Sequence, residues 1–242
     1  MSRPLDLHRE LAAVIDEPSR IGGFLERFAA SWATKLLPGD GYGEAELVAA
    51  ESRIGIPLPG ALREAYRLLG RRKDLTANQD PLVPLDELDL NDDGALVFRT
   101  ENQAAVRWGI RAADLRDADP AASIRPNLAD RSAESWEPWL APLSLAVVEL
   151  VMSETVHFED DNWDFLCDVD DEGLTQLEAR WTRLPIPDYP TGDRAPGIRW
   201  FASPDLLICD EARTGLAVRG RTEAALDEIR DLIPGGWLND PR

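Results

Sequence analysis

The sequence predicts an α+β fold in which a central, mainly antiparallel sheet is flanked by N-terminal and C-terminal helices. Three observations carry that expectation. Apolar residues recur at helical spacing through the opening third of the chain, period-two alternation with aromatic and β-branched residues follows in the middle, and a helix-period segment closes the chain. Helices that lead, strands that follow and helices that close do not alternate one by one, which separates this pattern from α/β.

Taken in order, "LDLHRELAAVI" and "SRIGGFLERFAASWATKLL" have helical spacing, with Ser19 placed to cap the second. "PGDGYG" breaks the chain. "EAELVAAESRIGIPLP" puts Leu47, Val48 and Ile54 on one side of a helix that Gly55 and Pro57 end. "PGALREAYRLLG" starts a further helix, with Pro59 near its first turn and Gly70 as its stop. A polar stretch leads to "LVPLDELDL", and then "GALVFRTEN" and "AAVRWGI" read as strands, followed by a short extended run in "DADPAASIRPNL". "PLSLAVVELVMSETVHF" is the strongest later helix, with Leu143, Val147, Leu150 and Val151 on one face. Glu159 to Glu172 reads as an acidic linker, and "LTQLEARWTRL" as a short helix. "GIRWFASPDLLICDEARTGLAVRG" reads as three short strands, and "RTEAALDEIRDLI" as a closing helix capped by Thr222 with Leu226, Ile229 and Ile233 inward. The expected organisation is a single domain over 1–242: a helical extension at 1–38, a core at 40–160, and C-terminal strands and a helix at 161–242. Those strands either extend the core sheet or form a small sheet of their own.

The chain is 29% charged and 44% hydrophobic, a globular balance. With 45 acidic residues against 26 basic ones its formal net charge is −19, which repels nucleic acid and anionic membrane surfaces and attracts a basic protein. Solubility alone is the other use of such a charge. Two cysteines, Cys167 and Cys209, are too few for a disulfide framework, and the chain shows neither an apolar leader nor a stretch of spanning length. The expectation is a cytoplasmic protein. Arginine almost wholly replaces lysine, which points to a GC-rich bacterial source.

Several segments resemble, in order, the SUKH superfamily of bacterial toxin-immunity domains related to a fungal cell-wall-synthesis regulator. They are "AESRIGIPLPGALREAYRLLG", "LVPLDEL", "LVFRTENQAAVRWGI", "DADP" and the Trp136–Trp139 pair, and the resemblance spans about residues 40–160, roughly half the chain. The resemblance implies an α+β fold that binds toxins and brings no catalytic residues. Within it, Glu101, Asn102, Gln103, Trp108 and Pro59 are motif positions with a structural role; direct partner contact is the alternative for Glu101, Asn102 and Gln103.

Residues that carry chemistry are sparse. His8 and His157 are the two histidines, and a nucleophile elbow is absent. A Cys167–His157 pair would lack a third, orienting group. "GDGYGEAE" lacks the Lys-Ser/Thr of a phosphate loop. Asp168, Asp170 and Glu172 alternate before Gly173 as at the start of a calcium loop, but the closing position is Ala179, with Glu178 one residue early. No metal and no cofactor are expected. A more promising feature is the acidic strip Glu159, Asp160, Asp161, Asp164, Asp168, Asp170, Asp171 and Glu172, interrupted by the aromatic Trp163 and Phe165. Aromatic anchors ringed by charge suit a steered protein interface, here with the basic cleft of a nuclease-type toxin. The expected function is therefore a non-enzymatic immunity protein that occludes a cognate, basic protein toxin, without nucleic-acid or membrane partners. A regulatory scaffold of the same fold binding another cellular protein is the alternative.

Overall fold

The computed structural model describes residues 5–191 and 194–240. The fold is α+β. Its elements run α1 (Leu7–Asp16), α2 (Ile21–Trp32), α3 (Glu44–Ile54), α4 (Gly60–Leu69), α5 (Lys73–Thr76), β1 (Leu96–Thr100), β2 (Val106–Ile110), β3 (Ala122–Pro126), β4 (Glu137–Leu140) and α6 (Leu143–Val156). Then follow β5 (Trp163–Cys167), α7 (Asp171–Arg180), β6 (Thr182–Arg183), β7 (Tyr189–Thr191), β8 (Arg194–Ala202), β9 (Leu206–Asp210), β10 (Gly215–Gly220) and α8 (Glu223–Leu232). Among the described residues no helix is long and apolar enough to cross a membrane.

The single domain expected over 1–242 is instead two compact units, one of Val14–Glu154 and one of Met1–Ala13 with Thr155–Arg242. Each has an antiparallel sheet. In the first unit the order is β1-β2-β3-β4; in the second it is β5-β10-β9-β8-β6, with β7 pairing β8. The C-terminal strands thus form a sheet of their own and do not extend the first. The reason lies in β5. Its five residues pair with β10 from Gly215↔Cys167 to Arg219↔Trp163, giving the C-terminal strands a partner from within the expected acidic linker. Leu166, Phe201, Ile208, Leu216 and Val218 from this sheet pack with Leu174 and Leu177 of α7, Leu226 and Ile229 of α8 and Ile233 just past its end in one apolar core.

Local chemistry explains the helix ends. Thr222 caps α8 by accepting the Ala225 N–H at 3.2 Å, as its sequence predicts. Ser19 does not cap α2. It lies in a single 3-10 turn begun by Pro18, and its hydroxyl donates to Glu17 at 3.0 Å. In α3 the buried positions are Leu47, Ala50 and Ile54, while Val48 is 47% exposed, so the inward face runs i, i+3, i+7. Gly55 ends α3 at φ +85°, a conformation that favours glycine. Every residue of α6 is buried. Because the helix is buried on every side, the polar side chains it carries must find partners inside the protein.

Gly70 ends α4 in right-handed backbone, so its absent Cβ matters for space and not for conformation. A Cβ there would meet the Tyr42 ring at 2.8 Å and the Tyr66 carbonyl at 2.9 Å. Gly70→Ala is expected to lower stability by about 1–3 kcal/mol through this overlap, against the small gain that Gly→Ala brings in relaxed helical backbone. Urea unfolding of the two chains measures the difference.

Candidate functional site

The "ENQ" segment is the turn between β1 and β2. The Glu101 N–H donates to the Val106 carbonyl at 2.9 Å, and Ala104 takes φ +59°, unusual for a residue other than glycine. The Glu101 carboxylate accepts the N–H groups of Gln103 at 2.9 Å and Ala105 at 3.0 Å, which closes the turn. Asn102 and Gln103 are exposed, and the Asn102 N–H donates to Asp80 at 3.2 Å. Trp108 is buried, edge-on to Trp139 at 5.8 Å between ring centroids. Pro59 is buried at the start of α4. Asp119 of "DADP" receives both the N–H and the hydroxyl of Ser144, at 2.9 and 2.7 Å, and so anchors the first turn of α6.

Beside that turn lies a buried ionic cluster that the sequence reading missed. Arg99 donates from Nη1 to Glu149 and from Nη2 to Glu154, each at 2.9 Å, and from Nε to the Asp80 carbonyl at 3.0 Å. Its guanidinium also lies 4.7 Å from the centroid of the Trp108 ring. The Asp80 carboxylate stands 3.7 Å away. Glu154 accepts the N–H groups of Asn78, Gln79 and Asp80 as well, folding that loop onto α6. Two glutamates inside a mainly apolar helix were the available signal, since buried carboxylates require a cation or donors.

The acidic strip is not one surface. β5 occupies its middle and divides its exposed acids into two groups, separated by a strand of five residues, about 17 Å long at the usual rise. Trp163 and Asp164, expected at the surface, are both buried. Asp164 accepts from Arg230 at 2.7 Å and from the Asn239 N–H at 2.8 Å, so it holds the C-terminal segment in place. Asp160 makes a two-pronged pair with Arg219 at 2.9 and 3.1 Å. Asp170 caps α7 by accepting the Gly173 N–H at 2.7 Å. What remains exposed is Glu159 and Asp161 before β5, and Asp168, Asp171 and Glu172 after it, together with the capping Asp170. Two apolar side chains are also exposed in this region: Phe158 at 36%, next to Glu159, and Leu238 at 66%, whose N–H donates to the Phe165 carbonyl of β5.

His157 pairs with Glu211 at 3.1 Å, Cys167 is exposed at the end of β5, and Glu178 is ion-paired with Arg199. Among the described residues no three of His, Cys, Asp or Glu are grouped so as to hold a metal ion. Comparison of the chain with protein-family models, with curated proteins and with solved structures finds no match.

Burial pushes the Asp80 carboxyl above the ordinary carboxylate range; Arg99 pulls it down and Glu154 raises it further. A carboxyl whose pKa is higher folded than unfolded binds more protons in the native state, so its contribution to stability is lost as pH rises from about 4 through the folded value. Asp80→Asn retains an oxygen to accept the Asn102 N–H. It is expected to flatten the loss of stability over that rise and to be at least as stable as the parent at neutral pH. Urea unfolding at several pH values checks both.

Proposed function

We propose that the chain is a non-catalytic immunity protein that binds a basic toxin polypeptide and occludes it, as the SUKH resemblance implies. The observation that carries the reading is the pair of acidic groups flanking β5, Glu159 with Asp161 and Asp168 with Asp171 and Glu172, all exposed around the apolar points Phe158 and Leu238. Anionic side chains around exposed apolar groups speed encounter with a cationic surface and orient it, while the apolar groups supply contact once water is excluded. Phe158 and Leu238 take the anchoring role for which Trp163 is too deeply buried.

The test begins by immobilising the chain, passing over it extract and secreted protein from its own source, and keeping what stays bound at high salt. An acidic protein of similar charge is the control for ion exchange. A single basic polypeptide held stoichiometrically is the expected result; several housekeeping proteins released together at low salt would fit a scaffold instead. With that polypeptide in hand, replacing Glu159, Asp161, Asp168, Asp171 and Glu172 by their amides should slow association by about tenfold or more and flatten its dependence on salt. An unchanged association rate contradicts the proposed surface.

A further inference from the structure

The unit Val14–Glu154 carries a polar cleft of about 270 Å³ away from the Arg99 cluster. Its cations are Arg107 of β2, Arg125 of β3 and Arg131 of a short 3-10 turn. Arg107 and Arg125 stand directly opposite each other in the antiparallel register. Like charges so placed have Cβ atoms about 5 Å apart and destabilise the pairing. For Arg125 the cost is offset: it is ion-paired with Asp93 and, at 2.9 Å, with Glu134. Arg107 and Arg131 have no such relief. Both are exposed on the cleft, and neither guanidinium has a partner among the described residues. Arg116 also has no partner among the described residues, and it lies in a different part of the unit, beside Pro57 and Pro59. In a chain with 45 acids against 26 bases, carboxylates are in excess for pairing every arginine. Two arginines left open toward one cleft, beside a third, form a site for an external anion.

We propose that this cleft binds the phosphate monoester of a small polyol, with the phosphate between Arg107 and Arg131. The flat, forked guanidinium matches the oxygen pairs of a phosphate, and two of them neutralise a dianion that one cannot. The overall negative charge of the chain does not forbid this, because exposed charges beyond about 8 Å are largely screened at physiological salt. Volume and rim restrict the ligand. The cleft is smaller than the about 300–1,000 Å³ of pockets for larger ligands. Asp92, also on its lining, accepts a hydroxyl donor and repels a second phosphate.

Calorimetric titration of the full chain tests the site with four probes: ribose 5-phosphate, inorganic phosphate, ribose and acetate. Ribose 5-phosphate is expected to bind most tightly, inorganic phosphate more weakly, and ribose and acetate not at all at millimolar concentration. Arg107→Ala and Arg131→Ala should each weaken ribose 5-phosphate binding by about tenfold or more, the loss of a charge-assisted contact. Arg116→Ala should leave it unchanged. The unfolding midpoint of each variant confirms that it is folded, as expected for guanidinium groups that hold nothing in the protein. Absence of binding by both phosphate probes, equal binding of acetate, or full affinity in folded Arg107→Ala and Arg131→Ala chains would overturn the proposal.

Discussion

The guanidinium of Arg99 is the constraint around which the first unit is organised. It draws together β1, two glutamates five residues apart on α6, and the loop at Asp80. The strand bends to allow this. The register of β1 against β2 shifts between Val97 and Arg99, and the consecutive residues Phe98 and Arg99 are both buried. A regular strand would send them to opposite faces; a bulge re-aims one of them. Once Arg99 is inside, Glu149 and Glu154 can be inside too, and Glu154 has oxygen left to gather the N–H groups of the 78–80 loop. The cluster is interdependent. Removing Arg99 is expected to cost about 3–5 kcal/mol, because it leaves Glu149 and Glu154 buried and charged without their cation.

The second unit uses the same device with other residues. Arg230 meets the buried Asp164, Arg199 meets the buried Asp210, and Arg219 meets Asp160. Arginine suits this use because it stays charged and donates in several directions from one plane. The consequence reaches the surface. Basic side chains are committed to partners within the protein, while acids outnumber them, so the charge offered to solvent is mainly negative. That residual charge is what a basic partner would meet. The cleft of Arg107 and Arg131 is the local exception.

What could be read in the sequence was chemistry that acts over a few residues. The Thr222 cap, the Gly55 stop, the hairpin around "ENQ" and the three C-terminal strands follow from spacing and turn residues alone. What could not be read depended on distant partners. β5 was hidden because Asp164 at its centre looks like a linker residue until Arg230, far along the chain, neutralises it. The division into two sheets was hidden for the same reason, since alternation identifies strands without saying which of them pair. Arg99 escaped because a bulge breaks the period by which inward positions are recognised. The acidic strip looked continuous because its letters are adjacent, whereas in the structure Asp164 is buried against Arg230, Asp160 pairs with Arg219, and β5 separates the acids that face outward.

Arginine-selective modification with phenylglyoxal, applied to the native chain and located by mass spectrometry, measures this division of charge directly. Arg99, Arg219 and Arg230 are buried and held by carboxylates, whereas Arg107 and Arg131 are exposed and have no partner among the described residues. Arg107 and Arg131 should therefore react early, and Arg99, Arg219 and Arg230 only when the chain is unfolded. Modification of Arg99 or Arg230 in the folded protein at the rate of Arg107 would contradict the buried ion pairs on which both units are built.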